Sequence, residues 1–254
     1  MTQTTFPTVQ LGGLPIAVTD RAALADSMVA AALARRGAGG KPVYSTSANG
    51  EVLSLCARDP VVRDLFASAD HIHADGMPMV ALSRLLCRQA LPERVATTDL
   101  FHDVAARAIP AGASFYMLGA TAASLAKARS NVACLYPDLK FAGSHHGHFR
   151  PDEEDSVVDA INAARPDILW VSMGTPREQA FVVRNRERFS GVGLVKTSGG
   201  LFDFLSGDRS RAPRWMQQAG LEWLYRLHLE PRRLFRRYAF TNPHALFLLL
   251  TRSA

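Results

Sequence analysis

From Ser114 to Gly200 short apolar segments alternate with helix-like ones, and each apolar segment runs out into glycine. Ser114–Leu118 ends in Gly119, Leu139–Ala142 in Gly143, Asp167–Met173 in Gly174, and Val192–Thr197 in Gly199-Gly200. Between them Thr121–Leu135, Asp152–Ala164 and Pro176–Phe189 read as helices. Strands joined by crossovers of about 10–15 helical residues pair in parallel, because a tight turn cannot bring parallel neighbours together. The expected fold is α/β, a Rossmann-like open, mostly parallel sheet with helices on both faces. The glycine turns predict one ligand crevice lined by Gly119, Gly143, Gly174, Gly199 and Gly200, although strand-to-helix packing explains any one of them alone. Neither G-x-G-x-x-G nor G-x-x-x-x-G-K-[ST] is present, so no dinucleotide fingerprint or Walker loop supports itself.

The first half follows the same plan less regularly. Val9–Leu11 and Leu14–Val18, split by Gly12-Gly13, predict a small hairpin. Asp20 caps an alanine-rich helix to about Arg36, stopped by Gly37, Gly39 and Gly40. Lys41–Ser47 predicts a central strand that leaves through Ser47-Ala48-Asn49-Gly50. Small hydroxyl and amide side chains either bond sugar and phosphate oxygens or cap the next helix, and both roles stay open for Ser47 and Asn49. Two short helices broken at Asp59-Pro60 lead to His71-Ile72-His73-Ala74-Asp75-Gly76-Met77-Pro78. A strand end meeting Asp-Gly before a helix puts Asp75 at the carboxyl edge of the sheet, where open α/β sheets bind ligands. Its carboxylate is either a helix cap or the acid–base group of a site. The polar run Arg88–Thr98, which carries Arg94, ends in Thr97-Thr98-Asp99, a start signal for a helix over Leu100–Ile109.

Two clusters carry competing readings. His145-His146-Gly147-His148 suggests a metal, but adjacent side chains on an extended loop point apart and no ligand recurs at zinc spacing. No metal and no cofactor are expected, and His145 is placed instead against a diphosphate or sugar. Gly174-Thr175-Pro176-Arg177-Glu178-Gln179 opens a helix towards the same crevice, where exposed N–H groups attract anions. Glu178 serves there either as a substrate contact or as a charge answering the helix dipole.

The 254 residues allow a domain over 1–205 and an appendage over 206–254. Three scattered cysteines lack metal or disulfide spacing and fit a reducing compartment. Met1–Thr8 is polar, and no apolar run reaches the roughly 20 residues of a spanning helix, so a cytoplasmic protein is expected. The net charge of +6 lies wholly in residues 206–254, where nine arginines face three acids. Such a tail implies an anionic partner: substrate phosphates, lipid headgroups or nucleic acid. Beyond Glu230-Pro231 a helix puts Arg232, Arg233, Arg236 and Arg237 on one side and Leu234, Phe235, Tyr238 and Ala239 on the other. Ala245–Leu250 then fits a membrane interface. Aromatics opposite the arginines favour lipid over base stacking, so no nucleic-acid partner is expected.

Ser47-Ala48-Asn49, Asp75-Gly76, Glu93-Arg94-Val95 with Asp99-Leu100, Gly143 to Gly147 with Phe149, Gly174-x-Pro176, Gly199-Gly200, Arg211-Ala212-Pro213-x-Trp215, Glu222-Trp223-Leu224-Tyr225-Arg226 and Glu230-Pro231 occur in that order. Together they resemble the WecG/TagA/CpsF family, glycosyltransferase family 26. The resemblance implies an inverting, metal-independent enzyme, peripheral on the inner face of the cytoplasmic membrane. Such an enzyme moves a hexose-type sugar (N-acetylmannosamine, its uronic acid, or glucose) from a UDP-sugar to an undecaprenyl diphosphate-linked saccharide. Asp75 would be general base, with Ser47 and Asn49 beside it. Arg94, Arg226, Arg233 and Arg236 would meet diphosphate, and the tail an anionic membrane surface; a second copy of the chain is a further partner class. Two departures stand out: Glu178-Gln179 replaces the family's Gln-Glu, and Thr97 stands where Gly is common. The alternatives are a nucleotide-sugar or NAD-dependent enzyme using the same crevice, and a basic-tailed nucleic-acid-binding protein. The resemblance also suggests that membrane docking folds the tail over the crevice.

Overall fold

The computed structural model describes residues 6–38 and 40–254; Met1 to Thr5 of the polar N-terminus and Gly39 of the expected helix stop lie outside them. The hairpin forms from β1 (Thr8–Leu11) and β2 (Leu14–Ala17), antiparallel around Gly12-Gly13. Helix α1 (Arg21–Ala34) starts where the Asp20 carboxylate accepts the Ala23 N–H at 2.6 Å. Then follow β3 (Val43–Ala48), α2 (Gly50–Arg58), α3 (Pro60–Ala67), β4 (His71–Ala74), α4 (Met77–Leu86) and α5 (Thr97–Ala111). The regular alternation supplies β5 (Ser114–Gly119), α6 (Ala122–Leu135), β6 (Lys140–His145), α7 (Glu154–Ala164), β7 (Ile168–Ser172), α8 (Arg177–Asn185) and β8 (Leu194–Thr197). Helices α9 (Leu201–Leu205), α10 (Arg214–Gln218), α11 (Glu222–Leu229) and α12 (Pro231–Thr251) complete the chain.

Six strands pair in parallel in the order β4-β3-β8-β7-β5-β6. Alternate residues serve opposite faces. Val43, Phe115, Met117, Ile168, Trp170 and Leu194 pack with α1, α5, α6 and α9, whereas Tyr44, Tyr116, Leu118, Leu169, Val171 and Val195 pack with α7 and α8. Each fully buried aliphatic or Phe side chain here contributes about 1.5–3 kcal/mol. Near-continuous apolar strands are what a sheet covered on both sides requires. The chain leaves neighbouring strands β3 and β8 towards opposite faces: α2 packs with Ala48, Ile72 and Ala74, and α9 packs with α1 and α5. Divergence of the two connections opens a crevice at the carboxyl edge between them.

The far end of the tail is core. Leu248 and Leu249 of α12 are buried with Val9, Leu11 and Leu53. Backbone bonds join Ala254 to Gln10 in both directions (3.2 and 3.0 Å), and the Gly13 N–H donates to Arg252 at 2.9 Å. The segment Ala245–Leu250 is divided between core and surface: Ala245, Leu248 and Leu249 face α2 and the hairpin, and Leu246, Phe247 and Leu250 are exposed. The four-arginine face is also divided. Arg232, Arg233 and Arg236 are exposed, while Arg237 is half-buried and pairs with Glu51 of α2 at 3.1 Å. The opposite face is mixed too, with Leu234 buried and Phe235 exposed, because the helix packs along a narrow stripe. Among the described residues no helix is long and apolar enough to cross a membrane.

Candidate active site

At the carboxyl ends of β3, β4 and β8 a cavity of about 490 Å³ is enclosed by the turns after those strands, the start of α4, and the tail helices α11 and α12. Asp75 lies on its floor. The Asp75 N–H donates to Ala48 at 2.8 Å, which extends the β3–β4 pairing by one residue and fixes the direction of the side chain. One carboxylate oxygen, Oδ1, accepts from Arg94 Nε and Nη2 at 3.1 and 3.0 Å; Oδ2 accepts from the Thr97 backbone N–H at 3.2 Å. Thr97 opens α5, so the carboxylate meets the positive end of a long helix. The cap reading is thereby decided: the residue before α4 is Gly76, no side chain caps that helix, and Asp75 spends its bonds elsewhere.

Arg94 also reaches the tail helices. Its remaining nitrogen, Nη1, reaches Glu222 at 2.7 Å on the first turn of α11. Burial opposes the guanidinium charge, but Asp75 and Glu222 outweigh it and hold Arg94 above its ordinary value. Arg211, of the Arg-Ala-Pro motif, pairs with Asp99 of α5 and donates to Gln217 at 2.5 Å, fastening the start of the tail. The tail helices lie over the crevice in this structure.

Ser47 and Asn49 line the cavity. Asn49 accepts the Val52 N–H at 3.1 Å through Oδ1, so it caps α2 and keeps its amide N–H groups for the crevice. Ser47 receives the Thr97 hydroxyl at 3.3 Å. The Thr97 hydroxyl thus bridges β3 and α5.

Glu178, 2 % exposed, accepts the backbone N–H groups of Met173 (3.1 Å), Gly174 (3.2 Å) and Gly199 (2.9 and 3.0 Å). It ties the turn after β7 to the turn after β8; burial pushes its carboxyl up, against the pull of those N–H groups and of Lys196. Gln179 donates to Glu178 at 3.2 Å while its buried Oε1 has no partner, so of this pair Gln179 is the one with an acceptor left for a ligand. Gly199, at φ +61°, and Gly200 line the same cavity. The left-handed backbone at Gly199 is what lets its N–H turn to Glu178.

The expectation of one glycine-lined crevice needs correction. A Cβ at Gly119 would stand 2.1 Å from the Ser172 carbonyl, and one at Gly143 would stand 2.6 Å from the Tyr116 ring. These two glycines permit close packing between β5, β6 and β7; they lie four and five strands along the sheet from β4, which leads into Asp75, and neither they nor Gly174 line the cavity. His145 stacks on His146 and lies in a separate open groove with Arg129 and Ser144, which offers no carboxylate. Among the described residues no three His, Cys, Asp or Glu side chains converge to hold a metal. Arg226 on α11 lines the crevice; Arg233 pairs with Glu230 at 2.5 and 2.8 Å on the outer surface, and Arg236 is exposed beside it.

Five residues have surroundings that the sequence did not assign. Glu222 belongs to a motif of the resemblance, but nothing local pointed to its partner, which is 128 positions away. Met77, Trp223 and Tyr238 form an apolar wall that only the closed tail creates. Lys196 did leave a signal: a lysine in the middle of an apolar parallel strand, which is rarely buried without purpose. Residues 9–254 match the family model described as Glycosyl transferase WecG/TagA/CpsF family.

Proposed function

The chain belongs to the WecG/TagA/CpsF family of glycosyltransferases, which act in cell-surface polysaccharide synthesis, and from that premise we propose that it moves a hexose-type sugar from UDP to a polyprenyl diphosphate-linked saccharide with inversion. The carrying observation is the state of Asp75. Arg94 donates twice to Oδ1, while Oδ2 accepts one N–H, and Asp75 lines the cavity. A carboxylate held so firmly, yet with one free acceptor position, suits removal of a proton from an acceptor hydroxyl.

In this reading the acceptor oxygen forms a bond to the anomeric carbon from the face opposite UDP. Its proton passes to Asp75 Oδ2, and the anomeric carbon–oxygen bond breaks with its electron pair going to the β-phosphate. Arg226, Asn49 and Gln179 line the space around the reacting groups, and a guanidinium is well suited to a phosphate that gains charge as it leaves. No metal is needed where arginine supplies that charge. The tail's exposed Arg232, Arg233 and Arg236, with Phe235, Phe240 and Phe247, form a surface suited to the anionic inner face of a cytoplasmic membrane, where each basic residue gains about 1 kcal/mol.

The test is release of UDP by the full chain from a panel of UDP-sugars, with a short-chain polyprenyl diphosphate-linked saccharide as acceptor and the product anomer read by NMR. Turnover in EDTA with inversion is expected, and Asp75→Asn should lose roughly 10²–10⁴-fold. Wild-type turnover in that variant rejects the base assignment; a retained anomer rejects the single displacement. Flotation with anionic vesicles, weakened by salt, checks the membrane surface separately.

A further inference from the structure

A crevice for phosphates gains from positive charge, yet this one is lined by four carboxylates, Glu51, Asp75, Glu178 and Glu222, against two guanidiniums, Arg94 and Arg226. Three of the carboxylates are firmly answered. Glu51 pairs with Arg237 at 3.1 Å. Asp75 accepts two N–H groups of Arg94 and the backbone N–H of Thr97, and Glu178 accepts the backbone N–H groups of Met173, Gly174 and Gly199. Glu222 differs. Among the described residues its side chain has a single hydrogen bond, in which Oε2 accepts from Arg94 Nη1 at 2.7 Å. Two carboxylates thus share one cation in the middle of the crevice, and the second of them hangs on it by one bond.

We propose that Glu222 keeps a diphosphate seat on Arg94: a phosphate oxygen of the ligand replaces the carboxylate at Nη1, and the first turn of α11 loosens as Glu222 leaves. The proposal rests on the crevice taking a diphosphate-bearing substrate, and not on Asp75 being the base. Carboxylate and phosphate oxygens are alike as acceptors for a guanidinium, so one holds the place of the other. The seat is preformed. Arg94 Nε and Nη2 stay on Asp75, which fixes the plane of the guanidinium and keeps Nη1 aimed at the position that Glu222 fills. The Arg94 and Glu222 side chains are only 19 % and 16 % exposed, so the exchange takes place where water screens charge weakly. Glu222 gives up one bond on leaving, and the tail keeps its other fastenings, Arg211 on Asp99 and Arg237 on Glu51. Arg226 follows Glu222 by four residues on the same face of α11 and lines the same cavity, which puts a second cation beside the seat. Donor and acceptor of the proposed reaction both carry a diphosphate, and the seat fits that shared chemistry.

Titration calorimetry of the full chain with UDP, uridine and a short-chain polyprenyl diphosphate reads the exchange. Glu222→Gln keeps the size of the side chain and removes the competing charge. The ligand whose diphosphate takes the seat should therefore bind the variant about 10-fold more tightly than wild type, the lower end of what one charged hydrogen bond contributes. A gain for UDP assigns the seat to the donor, and a gain for the polyprenyl diphosphate assigns it to the acceptor; uridine, which has no phosphate, should bind both proteins alike. In wild type, saturation with the same diphosphate should quicken amide exchange in Glu222–Leu229, and in Glu222→Gln it should change that exchange little. Equal affinity of the two proteins for both diphosphates overturns the exchange, as does an equal gain for uridine, which would mean that the variant only opens the crevice. Should Glu222→Gln fail to fold, amide exchange in wild type with and without ligand decides alone, and unchanged protection of α11 overturns the proposal. Failure of both diphosphates to bind either protein would instead overturn the substrate reading of the crevice, and the seat with it.

Discussion

Arg94 and Asp75 meet through two guanidinium nitrogens on a single carboxylate oxygen, at 3.1 and 3.0 Å. The arrangement leaves the third nitrogen of Arg94 free to take Glu222 from the tail. One side chain thus holds both the proposed base and the tail helix that covers the crevice.

Arg94→Lys should lower kcat/KM by about 10–100-fold, with most of the loss in kcat. A lysine keeps the charge but cannot present the planar fork that spans Asp75 and Glu222, and a charged hydrogen bond contributes about 1.5–3 kcal/mol. Activity within twofold of wild type would show that the fork is not what places Asp75.

Glu222→Gln removes the charge that draws α11 onto Arg94 while preserving shape. Amide exchange in Glu222–Leu229 should quicken and exchange in β3 and β8 should not, since local opening follows the weakest contacts. Equal protection in both proteins would mean that Arg211, Arg237 and the apolar contacts of α12 suffice to hold the tail.

Asp167 ties the turn after α1 to the sheet. Its carboxylate accepts from Arg36 Nε and Nη2, both at 2.7 Å, and from Ser114 N–H and hydroxyl at 2.7 and 2.9 Å. Burial pushes its carboxyl up, but Arg36 and Ser114 together hold it below the ordinary 3.8. A depressed acid stabilises the fold at pH above its unfolded value, and that support disappears as pH falls from about 4 downwards. The wild type should therefore lose Tm more steeply than Asp167→Asn below pH 4, measured by thermal denaturation; parallel curves would count against this linkage.

Leu248→Ala should cost about 2–5 kcal/mol of unfolding free energy, as for other fully buried leucines, because Leu248 is 1 % exposed in the core beside the hairpin. Phe247→Ala, one residue away and 58 % exposed, should leave denaturant midpoints nearly unchanged. Similar effects for the two would mean that α12 is not docked as described. The same contacts explain why deleting the segment after Gly207 would test folding and activity at once, whereas point changes at Glu222 or Arg226 separate them.

Local spacing carried most of the fold. The strand–glycine–helix recurrence from Ser114 to Gly200 fits β5 to β8 within a few residues, and Gly12-Gly13, Asp20 and Asp59-Pro60 mark the hairpin, cap and break that the structure contains. Each of these signals is read over a span in which backbone sterics and the period of burial act directly. Asp75 was legible for the same reason, as a carboxylate at the end of a strand.

What the amino-acid order determined by itself is therefore the set of elements, their alternation, and the uneven charge of the tail. Only the tertiary structure decided which turns share a crevice, because the order β4-β3-β8-β7-β5-β6 brings Gly199 to Asp75 and takes Gly119 and Gly143 away. It also decided that Glu178 ties two turns, that Glu222 crosses 128 positions to Arg94, and that the last residues return to the hairpin. The physical reason is range: propensity and periodicity act between neighbours in the chain, whereas a hydrogen bond or a buried charge acts between neighbours in space, and those exist only once the sheet has closed its order.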